Sequence, residues 1–534
     1  MGARRRSWWG WGWEDEALST EQLSKLASAV SARLGADVDV REPAALGELD
    51  LRPPRTPAPP PSLADIVSTD TYDRAAHTYG KSFRDVVRGF HGELPHPPDL
   101  VAFPRDEADV CDLLGWCADA DLAAVPYGGG SSVVGGVDGG GAWADDYEGV
   151  VSIDLTRLDR VLEIDRTSRA IRVQGGALGP VLEDQLRPHG YTLRHYPQSF
   201  EFSTVGGWLA TRSGGHFATN YTHIDDFVES IRTVTPAGVI ESRRLPGSGA
   251  GPSPDRLLLG SEGTLGVIVE AWLRVQDRPT FRAGASVRFA TLDAAAEATR
   301  AVAQAGLFPA NCRLLDPGEA ATSAGITDGS AVLVLGFESA DHPLDAWIAR
   351  AVECCADHGG AVPDGIRTGE AKDDTAGNWR NAFLRAPYGR DAMVAMGCVA
   401  ETFETACTWD RYPELHARIV ESVEKALASA CGGGTVTSRF THVYPDGCAP
   451  YYTVLAPGTH GTQLERWQAV KDAASEAIVS AGGTITHHHA VGRDHRPWYD
   501  RQRPDLFAHA LRAAKRSVDP AGLLNPGVLV DPLR

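Results

Sequence analysis

From Asp99 onward, short apolar runs alternate with segments of helical period. Leu100 to Phe103, Ala123 to Pro126, Val150 to Leu155, Val161 to Asp165 and Ala170 to Val173 read as strands, whereas Glu107 to Ala120 and Leu178 to His189 read as helices. This alternation predicts an α/β (α+β) fold. The pattern changes near Asp277-Arg278-Pro279, and a second α/β region follows with helices at Leu292 to Ala305, Leu344 to His358 and Leu415 to Ala430. Ahead of Asp99, Leu23, Leu26, Val30 and Leu34 mark one face of a helix over Glu21 to Leu34, and Pro53 to Pro61 forms a spacer that cannot continue it. Trp8, Trp9, Trp11 and Trp13 are too aromatic for a free tail and are expected to dock on the body. Four segments result: an extension over 1–95, an α/β unit over 96–278, a second over 279–485, and a closing segment over 486–534.

Charge and targeting signals narrow the function classes. Lys and Arg total 51 against 70 Asp and Glu, a net charge of -19, which argues against a general nucleic-acid binder. The nine cysteines form no metal-spaced pairs and read as reduced, mostly buried thiols. No run of about 18 apolar residues is present, so no spanning helix is expected. The start lacks a signal-peptide pattern, Arg6 stands where a myristoylation signal wants Ser or Thr, and the terminal Pro532-Leu533-Arg534 is not a peroxisomal address. A cytoplasmic location is the expectation.

Three glycine-rich loops carry the candidate chemistry. Pro126-Tyr127-Gly128-Gly129-Gly130-Ser131-Ser132 follows a strand, and its glycines allow backbone N–H groups to approach an anion closely. The spacing is neither the dinucleotide fingerprint nor a P-loop. Gln198-Ser199-Phe200-Glu201-Phe202-Ser203-Thr204 leads to Thr211-Arg212-Ser213-Gly214, and Glu262-Gly263-Thr264-Leu265-Gly266-Val267-Ile268 closes the set. Three such loops within one unit favour a large anionic cofactor over unrelated turns. Their order resembles the vanillyl-alcohol-oxidase or PCMH-type FAD-binding family. The resemblance implies an FAD-binding domain over 96–278, a cap domain over 279–485, and flavin contacts from all the residues just named. Relatives with a covalent flavin carry His where Ser131 stands, so a non-covalent FAD is implied. His216 reads as a polar loop residue.

Thr486-His487-His488-His489-Ala490-Val491-Gly492 is the most unusual stretch. Consecutive histidines share no face of a helix or strand, so by themselves they form no compact metal triad, and no metal is expected. They suit proton transfer and anion binding. The stretch resembles the active-site loop of the alkyldihydroxyacetonephosphate synthases, flavoenzymes of ether-lipid synthesis. The segments at Trp9-Gly10-Trp11-Gly12, Cys312-Arg313-Leu314-Leu315-Asp316, Arg390-Asp391 and Thr441-His442-Val443-Tyr444 are similar as well. That likeness implies acyl-for-alkoxy exchange on a phosphorylated lipid precursor with a fatty alcohol, without net redox. It implies Tyr451 as acid/base, provided its phenol titrates well below 10, Arg390 on phosphate or ketone oxygen, Arg313 holding charge near the flavin, and His487, His488 and His489 positioning phosphate and relaying protons. Peripheral membrane contact and a homodimer are both compatible with it. Two stretches depart from the synthases: Gly215-His216-Phe217-Ala218-Thr219-Asn220-Tyr221-Thr222-His223, and Ala490 with Arg493-Asp494-His495-Arg496. The alternative function is an FAD-linked dehydrogenase or oxidase of a 2-hydroxy acid such as D-lactate or glycolate, or of an alcohol. A non-catalytic flavoprotein is a third class, disfavoured by the full set of arginines, tyrosine and histidines.

Overall fold

The computed structural model describes residues 4–217, 219, 222–370 and 388–533, so Ala218, Asn220 and Tyr221 of the departing stretch lie outside it. Three sheets organise most of the described residues, and a short pair, Tyr191–Thr192 with Gln276–Asp277, stands apart from them. In the first, the strands Val67–Ser68, Leu100–Ala102, Gly149–Asp154 and Leu122–Tyr127 lie side by side in that order, with the last three parallel. Leu122, Ala123, Ala124 and Val125 are all fully buried, as expected for strands covered on both faces. The helix Glu107–Asp119 makes the crossover, and Asp106 caps it by accepting from Asp109 N. The second sheet is five antiparallel strands: Val161–Asp165, Ala170–Gln174, Val267–Arg274, Val228–Thr235 and Gly238–Glu241. The helix expected through His189 stops at Leu186 and tightens into a 3-10 turn over Arg187–His189, where Pro188 supplies no N–H.

The third sheet has eight antiparallel strands. Its path runs Arg367–Glu370, Phe281–Phe289, Ala331–Ser339, Asn311–Leu315, Thr435–Val443, Gly447–Ala456 and Val399–Glu404, and Cys407–Thr408 joins the Gly447–Ala456 strand. The helices Tyr412–Cys431 and Gln463–Ser480 pack together beside it, with Leu415, Ile419, Val423, Trp467 and Val470 in one core. Register matters more than strand count here. Arg439 stands opposite Tyr451, Glu404 opposite Tyr451 on its other side, and Leu315 opposite Arg439. Side chains alternate between faces, so Thr435, Thr437, Arg439 and Thr441 share one face, as do Tyr451, Thr453 and Leu455. A register shift between Phe440 and His442 breaks the alternation at that point.

The extension docks on the body as its tryptophans lead one to expect. Trp8 and Trp11 are buried, and Trp9 meets Phe90 edge-on at 5.3 Å. The helix Thr20–Leu34 is closed by a Ser19–Gln22 capping box and a left-handed Gly35. At the other end of the chain, Lys515 Nζ donates to Asp519, to Thr264 O and to Leu524 O, tying the closing segment to the third glycine loop. Among the described residues no helix is long and apolar enough to cross a membrane.

Candidate active site

A cavity of about 460 Å³ lies between the glycine loops and the polar face of the large sheet. From the loop side it is lined by Gly128 to Ser132, Gln198, Ser199, Ser203, Thr204, Thr211, Ser213 and Gly214. From the sheet side come Arg313, Arg439, Thr441, His442 and Tyr451, joined by Arg390, Thr402, His488 and His489. Residues separated by more than three hundred positions therefore face one space.

The loops fit a large anionic cofactor. A Cβ on Gly129 would stand 1.6 Å from Phe202 O, and one on Gly128 would stand 2.3 Å from Thr204 Oγ1. The first two loops thus press backbone against backbone, which only glycine permits. Ser131, Ser199, Thr211 and Ser213 border the cavity among the glycines, residue types suited to phosphate and to heterocycle edges. Other residues of the same loops have different partners. Tyr127 Oη donates to Ala76 O, Pro126 lies under Gly263, Phe200 stacks on Trp208, and Phe202 carries the Arg6 guanidinium over its ring. Glu201 accepts from Tyr388, while Arg212, in a left-handed conformation at φ 52°, pairs with Asp225. None of the third loop, Glu262 to Ile268, lines the cavity. Its Glu262 instead accepts from Val491 N at 2.9 Å and Gly492 N at 2.8 Å, so this loop grips the downstream end of the histidine loop.

The upstream end is gripped by Glu404. This carboxylate is 2% exposed and accepts from Thr486 Oγ1, His487 N, His488 N and His489 N at 2.6–3.0 Å. The three histidines are thereby turned in different directions. His488 and His489 line the cavity, whereas His487 points behind them. His487 Nδ1 meets His488 Nδ1 at 3.0 Å, and its Nε2 meets Tyr444 Oη at 2.6 Å and His223 Nε2 at 3.1 Å. The compact group that the run cannot make alone is completed by His442: one ring nitrogen from each of His442, His487 and His488 lies within 4.8 Å of the other two. Burial lowers His488 and His489 to about 3 and holds His442 and His487 well below the usual imidazole range, so all four rings are neutral near pH 7.

The condition set on Tyr451 is not met. Burial pushes its phenol above 10; Arg439, stacked over the ring at 4.3 Å, a hydrogen bond with Thr402, and Arg390 only partly counter this. Tyr451 is therefore a protonated donor, not a standing phenolate. Arg390 is held by Lys81 O at 3.0 Å and Thr402 Oγ1 at 3.1 Å, lines the cavity, and among the described residues makes no ion pair. Arg313 is 4% exposed and approaches His216 Nδ1 at 3.5 Å; burial first, and then Arg439, lowers it to about 9. Sequence reading missed Arg439, Glu404, His442 as a site residue, and His223. The alternation Thr435, Thr437, Arg439, Thr441 on one strand face was the available signal for Arg439.

Comparison with known proteins agrees with this geometry. Residues 98–242 match the family model described as FAD binding domain, and residues 278–529 match FAD linked oxidases, C-terminal domain. An alkyldihydroxyacetonephosphate synthase of Caenorhabditis elegans is 30% identical over 492 residues, covering 87% of this chain and 81% of the relative. The chain belongs to the alkyldihydroxyacetonephosphate synthase family. A solved alkyldihydroxyacetonephosphate synthase structure superposes on this family member with a TM-score of 0.79 at 26% identity, covering 98% of this chain and 99% of that one. A mitochondrial D-lactate dehydrogenase [cytochrome] of Arabidopsis thaliana is 26% identical over 484 residues, covering 88% of this chain and 79% of the relative. FAD is the cofactor.

Proposed function

We propose that this chain is an FAD-dependent alkyl transferase that exchanges the acyl group of acyl-dihydroxyacetone phosphate for a long-chain alcohol. The observation that carries this reading is the shared cavity, where the glycine loops face Arg313, Arg390, Arg439, Tyr451 and the histidines. Loops at 128–132, 198–204 and 211–214 would hold FAD, which supplies an electrophilic partner for the substrate carbon. Arg390 binds the phosphate through charge-assisted hydrogen bonds, and Arg439, whose Nη1 is paired with Glu319 at 2.6 Å, adds its remaining donors. Met393, Val454 and Leu455 give the cavity an apolar stretch for a hydrocarbon chain. Tyr451 donates a hydrogen bond, keeping its proton, to the carboxylate that departs from C1, and the neutral imidazole of His488 takes the proton of the incoming alcohol.

Incubation with acyl-dihydroxyacetone phosphate and a fatty alcohol should release one free fatty acid per ether formed. Without fatty acid release the reading fails. Anaerobic bleaching of the flavin by D-lactate or glycolate would establish the dehydrogenase alternative instead. We also place FAD in the site without a covalent bond, because Ser131 stands where a linking residue is needed. Acid precipitation should leave a colourless pellet and all the flavin in the supernatant; yellow protein in the pellet would refute this.

A further inference from the structure

The proposed exchange has an unbalanced proton. The bond between C1 and the acyl oxygen breaks, a bond from C1 to the alkoxy oxygen forms, and the alcohol gives up its hydroxyl hydrogen. The acyl group leaves as its carboxylate, the ionised form near neutral pH, so each turnover leaves the alcohol's proton on His488 inside a buried site. A route outward is needed, and the structure contains a line of rings that fits.

His488 borders the cavity, and its Nδ1 lies 3.0 Å from Nδ1 of His487. His487 does not reach the cavity; its other nitrogen, Nε2, lies 3.1 Å from Nε2 of His223. His223 is only partly buried and anchors its Nδ1 on Arg212 O at 3.0 Å. The rings of His223 and His487 meet edge-on at 4.6 Å, and those of His487 and His488 at 5.2 Å. His487 Nε2 also meets Tyr444 Oη at 2.6 Å, and that hydroxyl donates to Thr222 Oγ1, so it accepts from the same N–H and a single outward-pointing set of protons satisfies every contact. His488 Nδ1–H donates to His487 Nδ1, His487 Nε2–H donates to His223 Nε2, and His223 Nδ1–H donates to the carbonyl.

We infer that His223 is a proton-relay residue, the outer member of a three-imidazole chain that carries the alcohol's proton from His488 through His487 to water. The inference rests on the exchange reading above. It also draws on one of the stretches where this chain departs from the synthases, since His223 sits outside the triple-histidine loop. An imidazole passes a proton by accepting at one nitrogen and releasing from the other, which is the wiring seen at His487. Neutral rings at rest are a requirement of such a relay, and burial keeps His487 and His488 neutral. The surrounding titratable groups are His442, stacked on His223 at 6.4 Å, Tyr444 at His487, Glu404 beneath the loop, and Arg313 and Arg439 toward His488. A bound phosphate adds negative charge beside the rings and makes them better acceptors.

The test uses the holoenzyme and His223→Asn and His223→Gln, which keep a polar side chain but cannot carry a proton. Bound-flavin absorbance first checks that both variants are folded. In dilute buffer, kcat for fatty acid release should fall ~10-fold or more while the KM for acyl-dihydroxyacetone phosphate is unchanged. Added imidazole should restore most of the loss in the variants and leave the parent unaffected. Parental kcat in dilute buffer, or a loss that imidazole does not restore, would overturn the relay. A parent enzyme that releases no fatty acid would instead overturn the exchange reading, so the two failures are distinguishable.

Discussion

Replacing Tyr451 by Phe should lower turnover by at least ~100-fold while leaving the absorbance of the bound flavin nearly unchanged. Tyr451 is 4% exposed and lies on a strand paired on both sides, between Arg439 and Glu404 on the neighbouring strands. Phenylalanine keeps the ring, its stacking against His488 at 6.2 Å and the Arg439 guanidinium above it. Only the hydroxyl is lost. Because burial raises that phenol, it holds a proton across the physiological range and serves as donor to the departing carboxylate. The chemical step should therefore fail with little change in KM, since the phosphate is held by arginines. Steady-state fatty acid release together with an absorbance scan decides the matter. A Tyr451→Phe enzyme turning over at the parental rate would remove Tyr451 from the chemistry.

The glycine loops were legible because their residue types answer to backbone geometry: Gly129 presses on Phe202 O, and no other residue fits. The histidine run was legible as an anomaly, and the helix over Leu415 to Ala430 followed from its period, although it extends to Tyr412–Cys431. What escaped depended on non-local pairing. Nothing local in Thr435–Val443 says that it lies between Asn311–Leu315 and Gly447–Ala456, and that placement brings Arg439 to Tyr451. Glu404 ends a strand some eighty residues before the loop it holds, so its four acceptor contacts have no sequence signature. The same holds for Glu262. Resemblance suggested flavin for that loop, yet its carboxylate holds Val491 and Gly492. The Tyr451 proviso failed for a related reason: burial, which sequence spacing does not report, outweighs the nearby arginines.

Removing the Glu404 carboxylate should disable the site without dislodging the cofactor. In Glu404→Ala the backbone N–H groups of His487 and His488 and the hydroxyl of Thr486 lose their acceptor inside a buried pocket, and His489 N keeps only Thr486 Oγ1 at 3.1 Å. Each stranded buried group costs about 1–3 kcal/mol, so the loop must leave its present course to find water or new acceptors. Glutamine at this position offers one carbonyl oxygen, and its amide group would confront N–H donors, so it rescues only in part. The downstream end stays fixed, because Glu262 still holds Val491 and Gly492. The glycine loops at 128–132 and 198–204 make no contact with Glu404 in the hydrogen-bond network described, so flavin uptake should persist. The expected result is a folded, yellow protein with a lowered Tm, turnover reduced ~100-fold or more, and a milder defect in Glu404→Gln. Calorimetry and fatty acid release on the same preparations separate the two effects. Full turnover in Glu404→Ala would mean that the histidines need no cradle, and that their position in the cavity is set by the rings' own contacts.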